Sequence, residues 1–171
     1  MNEPIRSAAL FRGRWVRVDE EEWPGIGAWE VIRPMDAAAV LPLTPDDDVL
    51  LVEQFRAGAR RSIEEIPAGL LDLEGEDPAG CAARELLEET GFRHATLEPL
   101  ALVHPSPGSS SERVHLFVAR THAVREREPE GGIVVVRRPF VDALAQARAG
   151  GFVDAKTALA LFLADARRGA G

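Results

Sequence analysis

Apolar and polar positions along the chain fall into short runs that read first as strands, then as one helix, then as strands and two further helices. Residues 8–18, AALFRGRWVRV, predict a strand, a turn at Gly13 and a second strand, with Trp15, Val16 and Val18 as β-formers. The acidic run at 19–22, followed by Pro24-Gly25, predicts a hairpin-type loop. Residues 29–33 predict the returning strand, and alternation sets Trp29, Val31 and Arg33 on one side and Glu30 and Ile32 on the other. Residues 37–43 and 49–55 are apolar strands joined by the Pro45-Asp46-Asp47-Asp48 turn, and 62–66 is a further short strand. From residue 78 the pattern is helical as far as 90. Strands at 97–104, 113–119 and 133–137 follow, with a loop at 105–112. Helices at 141–149, closed by Gly150-Gly151, and at 155–168, capped by Asp154, end the pattern; in the second, Leu159, Phe162, Leu163 and Ala166 recur at helical spacing. This order predicts an α/β sandwich, a mixed sheet with flanking helices, rather than a repeated βαβ fold.

The helix at 78–90 carries the candidate chemistry. Asp77 is a good N-cap, Pro78 loses nothing in a first turn, and Gly91 suits the position just past the end. Glu85 and Glu89 stand four apart on one face, Glu88 lies beside Glu85, and Arg84 precedes Glu88 by four. Ala79, Ala83, Leu86, Leu87 and Thr90 are expected to cover the opposite face. Like charges at this spacing destabilise a helix by roughly a few tenths of a kcal/mol per pair. A cation removes that cost, and hard divalent ions such as Mg²⁺ take carboxylate oxygens together with substrate phosphates. The plainer alternative is a solvated acidic face that Arg84 partly neutralises.

Composition narrows the partners. With 171 residues and 46% apolar content, one domain with one good core is expected. A net charge of −8 argues against nucleic acid or an anionic membrane as main partner. Cys81 is the single cysteine, so no internal disulfide forms and a reducing cytoplasm is expected; within the helix it reads as a small packed side chain. No apolar run approaches the ~20 residues of a membrane span, and no signal-peptide pattern stands at the N-terminus. The four histidines have no metal-ligand spacing.

Residues 69–92, GLLDLEGEDPAGCAARELLEETGF, resemble the signature of the Nudix hydrolases, G-x5-E-x7-R-E-U-x-E-E-x-G-U, where U is bulky and apolar. Glu76, Arg84, Glu85, Leu86, Glu88, Glu89, Gly91 and Phe92 fall in place, while six residues rather than five separate Gly69 from Glu76. The extra residue precedes the helix and leaves its carboxylates in register. The resemblance implies a Nudix-type α/β/α sandwich over 37–171, preceded by a short N-terminal β region, 1–36, that serves dimerisation and base binding. It implies Mg²⁺, with Mn²⁺ possible, held by Glu85, Glu88 and Glu89 with the Ala68 carbonyl. Arg84 is expected to orient the carboxylates.

Four further segments resemble the ADP-ribose pyrophosphatase branch. Gln54-Phe55-Arg56 is similar to its Q-Y-R, with Arg56 on the substrate diphosphate; a guanidinium grips phosphate oxygens in pairs. Ser106-Pro107-Gly108 followed by Glu112 resembles its substrate-side loop, whose plain alternative is a turn. Trp15 and Trp29 resemble an aromatic pair that sandwiches adenine, one from each subunit of a dimer, with Glu30 on the adenine amine and Arg33 toward the diphosphate; both could instead be core. Glu128 and Glu130, with Glu126 in the same charged loop, have the spacing of a catalytic base and a metal ligand, or form a solvated charge run. The expected reaction is metal-dependent hydrolysis of a nucleoside diphosphate derivative by a cytoplasmic homodimer, ADP-ribose going to AMP and ribose 5-phosphate. FAD, NADH or a sugar nucleotide are alternative substrates, and a non-catalytic nucleotide sensor is the alternative outside enzymes.

Overall fold

The apolar run at 37–43 becomes β4 (Ala37–Leu43), in which all seven residues are buried. It is the axis of a seven-stranded mixed sheet in the computed structural model, which describes residues 3–169. β4 runs parallel to β9 (Val114–Thr121) and antiparallel to β5 (Asp48–Arg56) and to the short β7 (Ala68–Leu70). The sheet order is β10-β5-β4-β9-β8, with β10 (Val134–Pro139) and β8 (His94–Val103) at its sides and β6 (Arg61–Glu65) paired to β5. Alternation along β4 builds two cores. Ala37, Ala39, Leu41 and Leu43 pack with Val49 and Leu51 against α2 (Phe140–Arg148) and α3 (Ala155–Arg168). Ala38 and Val40 pack with Phe117 and Ala119 against Cys81, Ala82 and Leu86 of α1 (Pro78–Thr90). Helices thus cover both faces, the expected α/β/α arrangement, and each Leu or Val so buried contributes about 1.5–3 kcal/mol.

α1 has the expected bounds because its ends are locally encoded. Asp77 accepts from Gly80 N at 2.6 Å, and Gly91, at φ +77°, donates to Leu87 O at 2.9 Å. Its buried stripe differs from the expectation: Cys81 and Ala82 pack with Leu86, whereas Ala83 and Leu87 are half-buried. Glu89 falls on the buried side. The thiol of Cys81 is pushed up to about 11 by burial, and it donates to Leu70 O at 3.4 Å as a packed, protonated group.

β1 (Arg6–Arg12), β2 (Arg17–Trp23) and β3 (Gly27–Arg33) form a separate antiparallel sheet in that order. Here the acidic run at 19–22 is corrected from loop to strand: it is the middle of β2, and the turn moves to residues 24–26. Arginines on all three strands make this possible. On one face Asp19 accepts from Arg17 at 2.5 Å and Glu21 pairs with Arg33; on the other, Arg6 reaches Glu20 at 2.8 Å and Glu22 at 3.7 Å. The small sheet is stitched to the domain by a parallel bridge between Ile32 and Ser110, with Ile32 N to Ser109 O at 2.8 Å and Ser111 N to Ile32 O at 3.0 Å.

Candidate active site

Arg84 is the hub of the α1 carboxylates. Its Nε and Nη2 grip the two oxygens of Glu76 at 2.9 and 3.0 Å, and its Nη1 reaches Glu85 at 2.6 Å and Glu88 at 3.0 Å. The extra residue before Glu76 has therefore not displaced it from the cluster. The fork holds the Glu76 carboxyl below its usual range and raises the Arg84 pKa further, so both stay charged. β7 lies close beneath: a Cβ on Gly69 would collide with the Glu85 side chain, which is why glycine starts the motif.

Glu89 sits on the other side of Glu85, 8% exposed. It accepts from Gln54 Nε2 on β5 and from Ala68 N on β7, the latter at 3.1 Å. Burial outweighs these bonds and pushes its carboxyl up to about 7; burial also raises Glu85 despite Arg84. Three carboxylates thus share one guanidinium, and a fourth, the more deeply buried Glu89, has no cation bonded to it. Among the described residues no three acidic, His or Cys side chains converge as a ready-made cage, since Arg84 occupies the oxygens of Glu85 and Glu88. The donor chemistry and the uncompensated charge fit a hard divalent cation.

The other expected site residues spread over three places. Arg56 lies on the same side of β5 as Gln54, and its Nε is bound to Glu65 Oε1 at 2.5 Å. Trp29, Arg33 and Gly108 line a cleft of about 570 Å³, together with Glu21, Val31, His104 and Ser110. Trp15 and Trp29 are not core: they are 58% and 50% exposed. Trp15 sits in the β1–β2 turn under Arg14 and does not line the cleft. Glu30 lies opposite Glu20, off the cleft and on the other side from Trp29, and Arg33 is held by Glu21 and Asp19. Glu112 is half-buried, its N–H on Ser110 Oγ at 3.2 Å. The loop at 125–130 packs on the end of α1, with Glu126 N on Gly91 O at 2.8 Å. Its Glu128 and Glu130 are exposed and paired with Arg125 at 3.1 Å and Arg127 at 2.9 Å rather than with the α1 cluster.

Residues 33–160 match the family model described as the NUDIX domain. The chain belongs to the NUDIX family. It is 38% identical over 165 residues to the ADP-ribose pyrophosphatase of Bacillus subtilis, covering 92% of this chain and 89% of that protein. The methanol dehydrogenase activator of Bacillus methanolicus is 34% identical with the same coverage. The GDP-mannose pyrophosphatase of Cronobacter sakazakii is 35% identical over 136 residues, 73% of this chain and 70% of that one. Among solved structures, an ADP compounds hydrolase superposes with a TM-score of 0.80 at 26% identity, covering 99% and 96% of the two chains.

This NUDIX protein is a pyrophosphohydrolase. Glu85, Glu88 and Glu89 would hold the divalent ion, with Glu76 keeping Arg84 in place between them. When bound, such an ion neutralises charge on the phosphate oxygens and lowers the pKa of water. Of the groups around the site, Gln54 as a partner of Glu89 escaped sequence reading, though its place two before Arg56 in a strand set both on one face. Glu21 escaped because its run read as loop. The pairing of Glu65 with Arg56 and Lys156 left no local signal, since Lys156 lies 91 positions beyond Glu65.

Proposed function

We propose that the protein hydrolyses ADP-ribose to AMP and ribose 5-phosphate. The observation that carries this is the α1 cluster, three carboxylates around one arginine and beside them Glu89, buried and lacking a bonded cation. The choice of ADP-ribose is supported by the relatives of that name, which match nearly the whole chain in one case. Mg²⁺ is the expected ion, with Mn²⁺ able to replace it, held by Glu85, Glu88 and Glu89 and the Ala68 carbonyl. Arg56 takes the diphosphate. Water attacks one phosphorus, the bridging oxygen leaves with the other phosphate, and an α1 carboxylate or Glu128 takes the water proton; Glu130 joins the metal set if the 125–130 loop moves inward.

A homodimer completes the base site in this reading. The small sheet exposes Leu10, Phe11, Trp15, Ile26 and Trp29, more apolar surface than one subunit needs to leave in water. Trp29 walls the cleft from its own subunit, and Trp15, away from that cleft, reaches the base in the partner. On Trp29's side of the sheet Glu21, paired with Arg33, is the carboxylate that lines the cleft, so in this reading Glu21 rather than Glu30 accepts from an exocyclic amine. Arg33 and Gly108 border the same cleft, and Glu112 follows in the loop toward the ribose. A cytoplasmic setting, supported by the lone buried thiol, goes with this reading.

A sugar nucleotide is the second reading, favoured by the GDP-mannose pyrophosphatase relatives. The test is product analysis with ADP-ribose, GDP-mannose, NADH and FAD, each with Mg²⁺, with Mn²⁺ and with chelator. AMP and ribose 5-phosphate formed fastest, and only with metal, is the expected result. Faster turnover of GDP-mannose moves the assignment to the second reading; no turnover of any substrate returns the chain to a nucleotide sensor.

A further inference from the structure

The most deeply buried carboxylate among the described residues is not in the α1 cluster. It is Glu65, 1% exposed, at the end of β6. One oxygen accepts from Arg56 Nε at 2.5 Å and the other from Lys156 Nζ at 2.5 Å. Lys156 lies in the first turn of α3 and also donates to Asp154 Oδ1 at 2.9 Å. Asp154 caps that helix through Thr157 N at 2.9 Å, and Thr157 Oγ1 accepts from Ile66 N at 2.9 Å. Two residues further on, Ala68 N holds Glu89. The start of the C-terminal helix is therefore bonded to residues 65 and 66, the stretch that leads into Ala68 beside the catalytic cluster.

A buried carboxylate is tolerated when it is paired and fully hydrogen-bonded, and removing one partner leaves a costly charge. Glu65 meets that condition with two cations, but they differ in what they leave over. Lys156 is consumed between Glu65 and Asp154. Arg56 is bonded through Nε alone among the described residues, so the terminal nitrogens of its fork are uncommitted. Its side chain is 41% exposed, and its charge is felt at Glu89, where it lowers the carboxyl pKa. The guanidinium is thus anchored at one edge and open at the other, beside the metal-holding carboxylates.

We propose that Glu65 and Lys156 are positioning residues for substrate binding: Glu65 clamps Arg56 Nε and so presents the free end of the guanidinium to the diphosphate, while Lys156 holds the Glu65 carboxyl in place. This rests on the reading of Arg56 as a diphosphate-binding arginine. A planar fork gains its affinity for phosphate from orientation, and an unclamped Arg56 must lose side-chain freedom when substrate binds. Catalysis itself stays with α1, so the effect falls on KM.

The experiment is a double-mutant cycle in the metal-loaded enzyme, reading kcat and KM for ADP-ribose or for whichever nucleoside diphosphate derivative the wild type hydrolyses fastest. Arg56→Ala and Glu65→Gln should each raise KM about ten-fold or more, with kcat held within about three-fold. The double variant should be no worse than Arg56→Ala alone, because no guanidinium remains to be aimed. Multiplied effects on KM, or a Glu65→Gln enzyme with unchanged KM, overturn the positioning role and leave Arg56 standing. An unchanged KM in Arg56→Ala removes the diphosphate reading and the positioning role with it. Should Glu65→Gln fail to fold, Lys156→Met takes its place in the cycle under the same criteria, and Lys156→Arg should restore the wild-type KM.

Discussion

The raised carboxyl of Glu89 sets up a test that needs neither substrate nor turnover. In the metal-free protein this group sits at about 7 against 4.5 for a free side chain, with burial as the main cause. The folded state therefore binds more protons than the unfolded state between those values, and stability falls as pH rises through the window. Taking those two values, the loss between pH 5 and pH 8 is about 2.5 kcal/mol at 1.36 kcal/mol per pKa unit. For a chain of this size that is a fall in Tm of about 5–10 °C. Glu85 is raised by burial too and adds in the same direction. Glu76, Asp36, Asp47 and Glu64 are lowered by arginines and act with the opposite sign, but only below the ordinary titration range of a free carboxylate, so melts above pH 5 avoid them. The assay is thermal unfolding of chelator-treated wild type and Glu89→Gln across pH 5 to 8. Glutamine keeps an acceptor for one of the two donors, Gln54 Nε2 and Ala68 N, and cannot ionise. The wild type should lose stability relative to the variant as pH rises, and the difference cancels the four histidines. Parallel curves for the two proteins would refute the account of Glu89 as a buried, uncompensated carboxylate.

Adding millimolar Mg²⁺ should raise the Tm of the wild type by mass action, more at pH 8 than at pH 6, because binding requires the ionised carboxylates; an equal or absent shift at both pH values would count against the site. Glu85→Gln and Glu89→Gln should each lower kcat at saturating Mg²⁺ by about a hundred-fold or more while melting cooperatively, since each removes charge that holds the ion; activity within a few-fold of wild type for both would take them out of the mechanism. Gly69→Ala should lower activity by displacing Glu85, with which its Cβ would collide, and an unaltered kcat would show that β7 can give way. Trp15→Ala should raise KM for ADP-ribose by about 5- to 100-fold with little change in kcat, the range of one base stack, and mixing it with Glu89→Gln should recover near-wild-type affinity in part of the sample; a monomer in light scattering or an unchanged KM would sink the shared pocket.

Helix α1 was legible because everything that defines it is contiguous. Asp77, Pro78 and Gly91 mark its ends, and the spacing of Glu85, Glu88 and Glu89 fixes their face by helical geometry alone. The same holds for β3, where simple alternation separates Trp29 from Glu30. Strand β4 was legible for a related reason, since seven residues buried on both faces leave no polar alternative. The acidic run of β2 was misread because what neutralises it comes from Arg6 and Arg33, on the flanking strands. β7 has three residues, too few for any periodicity, yet its Ala68 N–H completes the environment of Glu89. The shift at Glu89 depends on burial and on Gln54, 35 positions earlier, and the anchoring of Arg56 on Glu65 depends on Lys156 near the far end of the chain. Local covalent spacing decides which side chains share a face. Which charges are desolvated, and which distant group compensates them, is decided only when the sheet brings separate segments within hydrogen-bond distance.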